Sequence, residues 1–154
     1  MGKKRRRIVL LILLLGFIWG NSMLSKEASG ALSGAVMEKM NAAAQWLGLG
    51  ENFFSFMGED DAEAADDFYI RKAAHVTEFA ALSALLWSIC EKKARHRGLW
   101  AFSTAVLCAA ADETIQIFSH RGSQVRDVFI DAAGALLGLG IAVLISRTKR
   151  NDRV

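Results

Sequence analysis

Proline is absent from the 154 residues, so no helix in this chain is forced to bend by a missing backbone N–H. Cysteine is nearly absent: only Cys90 and Cys108 occur. Two cysteines make no disulfide framework, and these two fall at different depths of successive apolar segments, where the geometry of a bridge is not met. Both read as small buried apolar residues. The formal net charge of +3 is not a nucleic-acid signal. Lys and Arg gather at the ends of apolar segments, where lipid headgroups lie, and there they report orientation. What the chain has instead is apolar mass, with 53% hydrophobic residues sorted into blocks of membrane length. Short charged blocks separate them, which places the chain in the membrane class, as one domain.

Residues 1–24 carry a basic cluster at 3–7 and then an apolar run interrupted only by Asn21 and Ser22. That pattern fits both a cleavable signal and a retained first helix. No good small-x-small cleavage site follows it, which favours the retained helix. Residues 25–67 differ. Leu32, Val36, Met40, Ala43, Ala44 and Leu47 recur at helical spacing and predict an amphipathic helix, stopped near Gly48 and Gly50. Trp46, Phe53, Phe54 and Phe56 stand close by. Such a helix either lies on the membrane surface or packs on the protein's own helices. An acidic stretch at 58–67 follows and is expected to be a solvated loop.

Three further spans are expected, over 68–90, 99–118 and 128–145, with a basic loop at 91–98 and a basic tail at 147–154. The positive-inside rule puts all three basic segments in the cytoplasm, which four spanning helices satisfy at once. The expected architecture is therefore all-α: an integral bundle of four transmembrane helices, with the amphipathic helix extracytoplasmic between the first and the second. Residues 68–146 form its core, and both termini lie in the cytoplasm. Arg71, Lys72, Arg121 and Arg126 stand against the rule, at the outer side.

Polar residues collect at that side. Lys72, His75 and Glu78 are spaced by three residues and share a helix face. At 1.5 Å per residue, Glu78 lies on the order of 10 Å below the outer boundary. Asp112, Glu113 and Gln116 occupy the last two turns of the third span, and Asp127 and Asp131 the first turns of the fourth. Gly134 and Gly138 continue that stripe and allow close helix approach. An ionised side chain in hydrocarbon costs about 3 kcal/mol or more, so these residues must face one another or a watered cavity.

Two readings follow. The cluster is a salt-bridge network that fixes helix packing, or it is a site. For a site, His75, Glu78, Asp112 and Glu113 suit a divalent metal as ligand types. Lys72, Arg71 and Arg121 beside them argue against a cation and for a phosphate or carboxylate group. No metal and no cofactor is therefore expected. The expected ligand is an anionic envelope component, such as a membrane lipid headgroup or a lipid-linked cell-wall precursor. Lys72, His75, Glu78, Asp112, Glu113, Gln116, Arg121, Asp127 and Asp131 form the candidate binding set. Should chemistry occur, His75 and Glu78 are the acid/base pair, with Asp112 and Glu113 as further candidates. The enzyme reading is a hydrolase or transferase acting on a lipid-linked envelope substrate.

The stretches "RKAAHVTEFAAL" and "DETIQIFSHRGSQVRDVFIDAAGALLG" resemble the VanZ-like family of small bacterial membrane proteins. The family pattern of Lys-x-x-His-x-x-Glu-aromatic maps to Lys72, His75, Glu78 and Phe79. Its later elements map to Asp112, Glu113, Gln116, Arg121, Asp127, Asp131, Gly134 and Gly138. Phe79 stands where Tyr is common, Ser119 and His120 replace Pro-Gly before the Arg, and Asp131 replaces a common Asn. The resemblance implies a multi-pass protein of the bacterial cytoplasmic membrane. It also implies a contribution to teicoplanin or lipoglycopeptide resistance. It implies no reaction, and nothing in these residues resembles a coenzyme A or nucleotide site.

Overall fold

Five helices and no strand occur among the described residues: α1 (Lys3–Ser22), α2 (Lys26–Trp46), α3 (Ala62–Ile89), α4 (Arg97–Phe118) and α5 (Val125–Asn151). The computed structural model describes residues 2–49, 62–90, 94–119 and 124–151, with side chains for all of these except 26, 62–67 and 149–151. Contacts divide the chain into two compact units, Met1–Met23 with His75–Val154, and Leu24–Ala74.

The first unit is an up-down set of α1, α4, α5 and the part of α3 from His75 onward. At one end, Arg7 donates to the Ser88 carbonyl at 2.6 Å and Arg97 Nε to the Trp87 carbonyl at 2.7 Å. These carbonyls belong to the last turn of α3, where no intrahelical donor is available, so the guanidinium groups complete it. The Arg97 guanidinium also stacks over the Trp87 ring at 3.8 Å, and Trp87 Nε1 donates to Ser146 Oγ of α5 at 3.4 Å. One end of the unit thus gathers the start of α1, the end of α3, the start of α4 and the later turns of α5.

Between the ends the unit packs with small side chains. Ala101, Ala105 and Ala109 are buried at four-residue intervals along α4. Phe79, Leu82, Ile18 and Ala135 fill the space beside them. α5 approaches α3 more closely still. A Cβ at Gly134 would stand 2.5 Å from the Val76 carbonyl oxygen, and one at Gly138 would overlap the Ala80 carbonyl. Only glycine permits backbones this close. Both cysteines are half-buried and free.

Outside, the unit is apolar. Ile12, Leu13 and Phe17 on α1, and Leu137, Ile141 and Leu144 on α5, are all more than half exposed. By length and composition Val125–Thr148 is the one described helix that alone suffices to cross a membrane. α1 has the length, but its apolar run is preceded by the basic cluster. α3 and α4 carry their ionisable residues within the apolar stretch, which lowers its hydropathy.

In the second unit, Ser25 caps α2, its Oγ accepting from the Ala28 N–H at 3.2 Å. Gly48 closes the other end at φ +76°, and the Leu49 N–H returns to the Ala44 carbonyl. The buried face of α2 is Ser29, Ser33, Met37 and Ala44, while Leu32, Val36 and Leu47 of the expected apolar stripe are exposed. Apart from Met37, the covered residues are small, and Leu32, Val36 and Leu47 face out. α3 starts at Ala62, inside the acidic stretch expected to be loop. Ala and Glu are good helix formers, and acids suit a helix N-terminus. Residues 53, 54, 56 and 58–61 lie outside the described residues. At the far end α5 continues to Asn151, so the start of the expected tail is helical.

Candidate functional site

The buried stripe of α4 changes character after Ala109. Its next members are Asp112, Glu113 and Gln116, all buried. The face that packed with methyl groups over two turns now presents carboxylates to the same neighbours. α3 answers with His75 and Glu78, and α5 with Asp131. The site is thus built by running one packed interface into polar residues, at the end of the unit opposite Arg7 and Arg97.

His75 Nδ1 is 3.5 Å from Asp131 Oδ1 and 3.9 Å from Asp112 Oδ2. These are ion-pair distances without the alignment of a hydrogen bond: His75 Nδ1, Asp112 Oδ1 and both Asp131 oxygens have no hydrogen-bond partner. Asp112 is 0% exposed and Asp131 1%, whereas His75 retains 16%. The imidazole lies parallel to the Phe79 ring, with an interplanar angle of 6° and centroids 6.5 Å apart. Gln116 Nε2 donates to Asp112 Oδ2 at 2.8 Å and holds that carboxylate from the next turn.

Three surrounding roles were not foreseen from sequence. Asn21 Nδ2 donates to Glu78 Oε1 at 3.1 Å. Ser22 is buried, lies 3.5 Å from Gln116 Nε2, and offers its carbonyl to Ser119 Oγ at 2.8 Å. Glu113 Oε2 accepts from the Gln124 N–H at 3.2 Å, just before α5 begins, and so joins the end of α4 to the start of α5. The signal for the first two was present. Asn21 and Ser22 are the only polar breaks in a long apolar run, and they fall near its C-terminal end.

Of the predicted site residues, His75, Glu78, Asp112, Glu113, Gln116 and Asp131 all belong to this end of the first unit. Asp127 stands half-buried in the first turn of α5, and Arg126 beside it is exposed. Lys72 belongs to the second unit, where its ammonium stands 5.3 Å over the Phe68 ring. Arg121 and His120 lie outside the described residues. The carboxylates nearest His75 here are Asp131 and Asp112, while the Glu78 carboxylate, expected to pair with it, is held by Asn21.

The chain belongs to the VanZ/LLP1 family, whose model matches residues 7–146. It is similar to the membrane protein YwnJ of Bacillus subtilis (strain 168), itself described as uncharacterized, with 37% identity over 82 residues. That match covers 53% of this chain and 55% of YwnJ, so the chain spans little more than half the length of that curated relative. No solved structure matches.

Proposed function

We propose that this VanZ-like protein is embedded in the bacterial cytoplasmic membrane by four helices, α1, α3, α4 and α5. Both termini lie in the cytoplasm and α2 lies outside. The polar end of the first unit then occupies the outer half of the bilayer, where it recognises an anionic envelope component: a lipid headgroup or a lipid-linked cell-wall precursor. The apolar exterior of α1 and α5 supports embedding, since exposed apolar surface this continuous calls for a lipid or protein neighbour. The name of the Bacillus relative agrees with it.

One observation carries the site reading over a purely structural network. Buried polar atoms that only hold a fold together are nearly always hydrogen-bonded. Here the carboxylates of Asp112 and Asp131 are buried with three oxygens that have no such partner. Arg71, Lys72, Arg121 and Arg126 supply the preference for an anion, because they flank this end in sequence against the positive-inside rule. Contribution to teicoplanin or lipoglycopeptide resistance is the cellular outcome that fits such a ligand.

The test substitutes Lys72, Arg121 or Glu113 with Ala. Glycopeptide susceptibility and co-purified lipid are then measured at matched protein levels. Loss of both in folded variants is expected, and retention of both would sink the reading. The enzyme alternative, a hydrolase or transferase on a lipid-linked substrate, draws on His75 lying within 4 Å of two carboxylates. It requires envelope lipids that differ between cells with the wild type and cells with His75→Ala; identical lipids would exclude it.

A further inference from the structure

Asp131 and Asp112 are fully buried acids, and three of their four oxygens, Asp112 Oδ1 and both of Asp131, have no hydrogen-bond partner. Two carboxylates confined beside each other need positive charge nearby, and the group between them is His75. Its Nδ1 lacks a hydrogen-bond partner and is directed at both. One ligand-type atom from each of His75, Asp112 and Asp131 falls within 4.8 Å of the other two. Donors that share an ion at about 2.1 Å are separated by roughly 3–4 Å, so the 3.5 and 3.9 Å spacings already fit.

We propose that His75, Asp112 and Asp131 bind a divalent metal ion. The inference departs from the sequence expectation of no metal; it rests on the same unpartnered carboxylates as the site reading, and does not require that an anion binds. Of the cations on which that expectation leaned, Lys72 stands over the Phe68 ring and Arg121 lies outside the described residues. One imidazole and two carboxylates are a donor set for Mn²⁺, Fe²⁺, Zn²⁺ or Mg²⁺. The surroundings match the support that metal ligands receive elsewhere. Gln116 holds the Asp112 Oδ2, the Phe79 ring lies parallel to the imidazole, and the packing of Gly134 on Val76 fixes α5 against α3 beside the trio. Three protein donors leave coordination positions open, and His75, the one partly exposed member, marks the side from which they are reached.

The experiment uses the full chain purified in detergent, stripped with a chelator, and titrated with Mn²⁺ while free ion is followed by electron paramagnetic resonance. About one saturable ion per chain is expected, displaced by Zn²⁺ and showing the electron–nuclear coupling of a histidine nitrogen. Asp131→Asn, nearly the same shape, is expected to weaken binding at least about tenfold, while Glu38→Gln on the exposed side of α2 leaves it unchanged. His75→Gln is expected to remove the nitrogen coupling. Absence of saturable binding to the wild type overturns the proposal whatever the variants do. Binding that is equal in Asp131→Asn, or that shows no histidine nitrogen in the wild type, overturns it as well.

Discussion

Asn21 ends an apolar helix with a polar group and spends it on Glu78. A hydrogen bond to a carboxylate is worth about 1.5–3 kcal/mol, and its loss leaves a half-buried acceptor unmet. Asn21→Ala is therefore expected to lower unfolding stability in detergent by about 1–2 kcal/mol. The double cycle with Glu78→Gln isolates the pair: a coupling near zero would show that the contact does not stabilise the fold. Single residues were partly legible in sequence. His75, Asp112 and Asp131 stand out because an ionisable group inside an apolar helix is costly, so their spacing was informative. Asn21 and Ser22 were read only as interruptions, because a neutral amide or hydroxyl in such a run is cheap and takes meaning from the neighbour it meets. Which carboxylates approach His75 was not legible either. Spacing along α3 favours Glu78, whereas the packing of three separate helices brings Asp131 and Asp112.

At the scale of elements, helix existence was written in hydrophobic blocks and helix ends were not. α3 begins within an acidic stretch because Ala and Glu continue a helix readily, and polarity alone does not mark a boundary. For α2 the helical period was legible, and the face that the protein itself covers was not. The buried residues of α2 are Ser29, Ser33, Met37 and Ala44, three of them small enough to permit close approach, and Leu32 and Val36 look outward. The glycines of α5 sort by contact. Gly138→Ala places a methyl group on the Ala80 backbone, which cannot turn aside as a side chain can. It is expected to cost about 1–3 kcal/mol. Gly140→Ala meets nothing within 4 Å and should be neutral or stabilise by up to about 1 kcal/mol. Thermal unfolding of both variants in the same detergent checks the contrast, and equal midpoints would refute the close packing of α3 on α5.

For the whole molecule, the inside-out distribution of polarity is the organising fact, with apolar side chains on the exterior of α1 and α5 and acids within. It makes a topology prediction under the four-helix reading. In a cysteine-free background, single cysteines at Arg95 and Thr148 are expected to label only after the cytoplasmic side is opened, and one at Trp46 from outside in intact cells. Labelling of Arg95 and Trp46 from the same side would reject the four-helix topology.

The seam at Gly134 and Gly138 also works as a caliper. Backbone rests on backbone there, so the width between α3 and α5 is set by atoms that have no rotamers to explore. His75 precedes Val76 by one residue, and Asp131 precedes Gly134 by three, so both side chains hang from the jaws of the instrument. The main chain thus sets the separation of the two Cα atoms across which imidazole and carboxylate meet. A methyl group added at Gly134 or Gly138 would meet the α3 main chain and reset it.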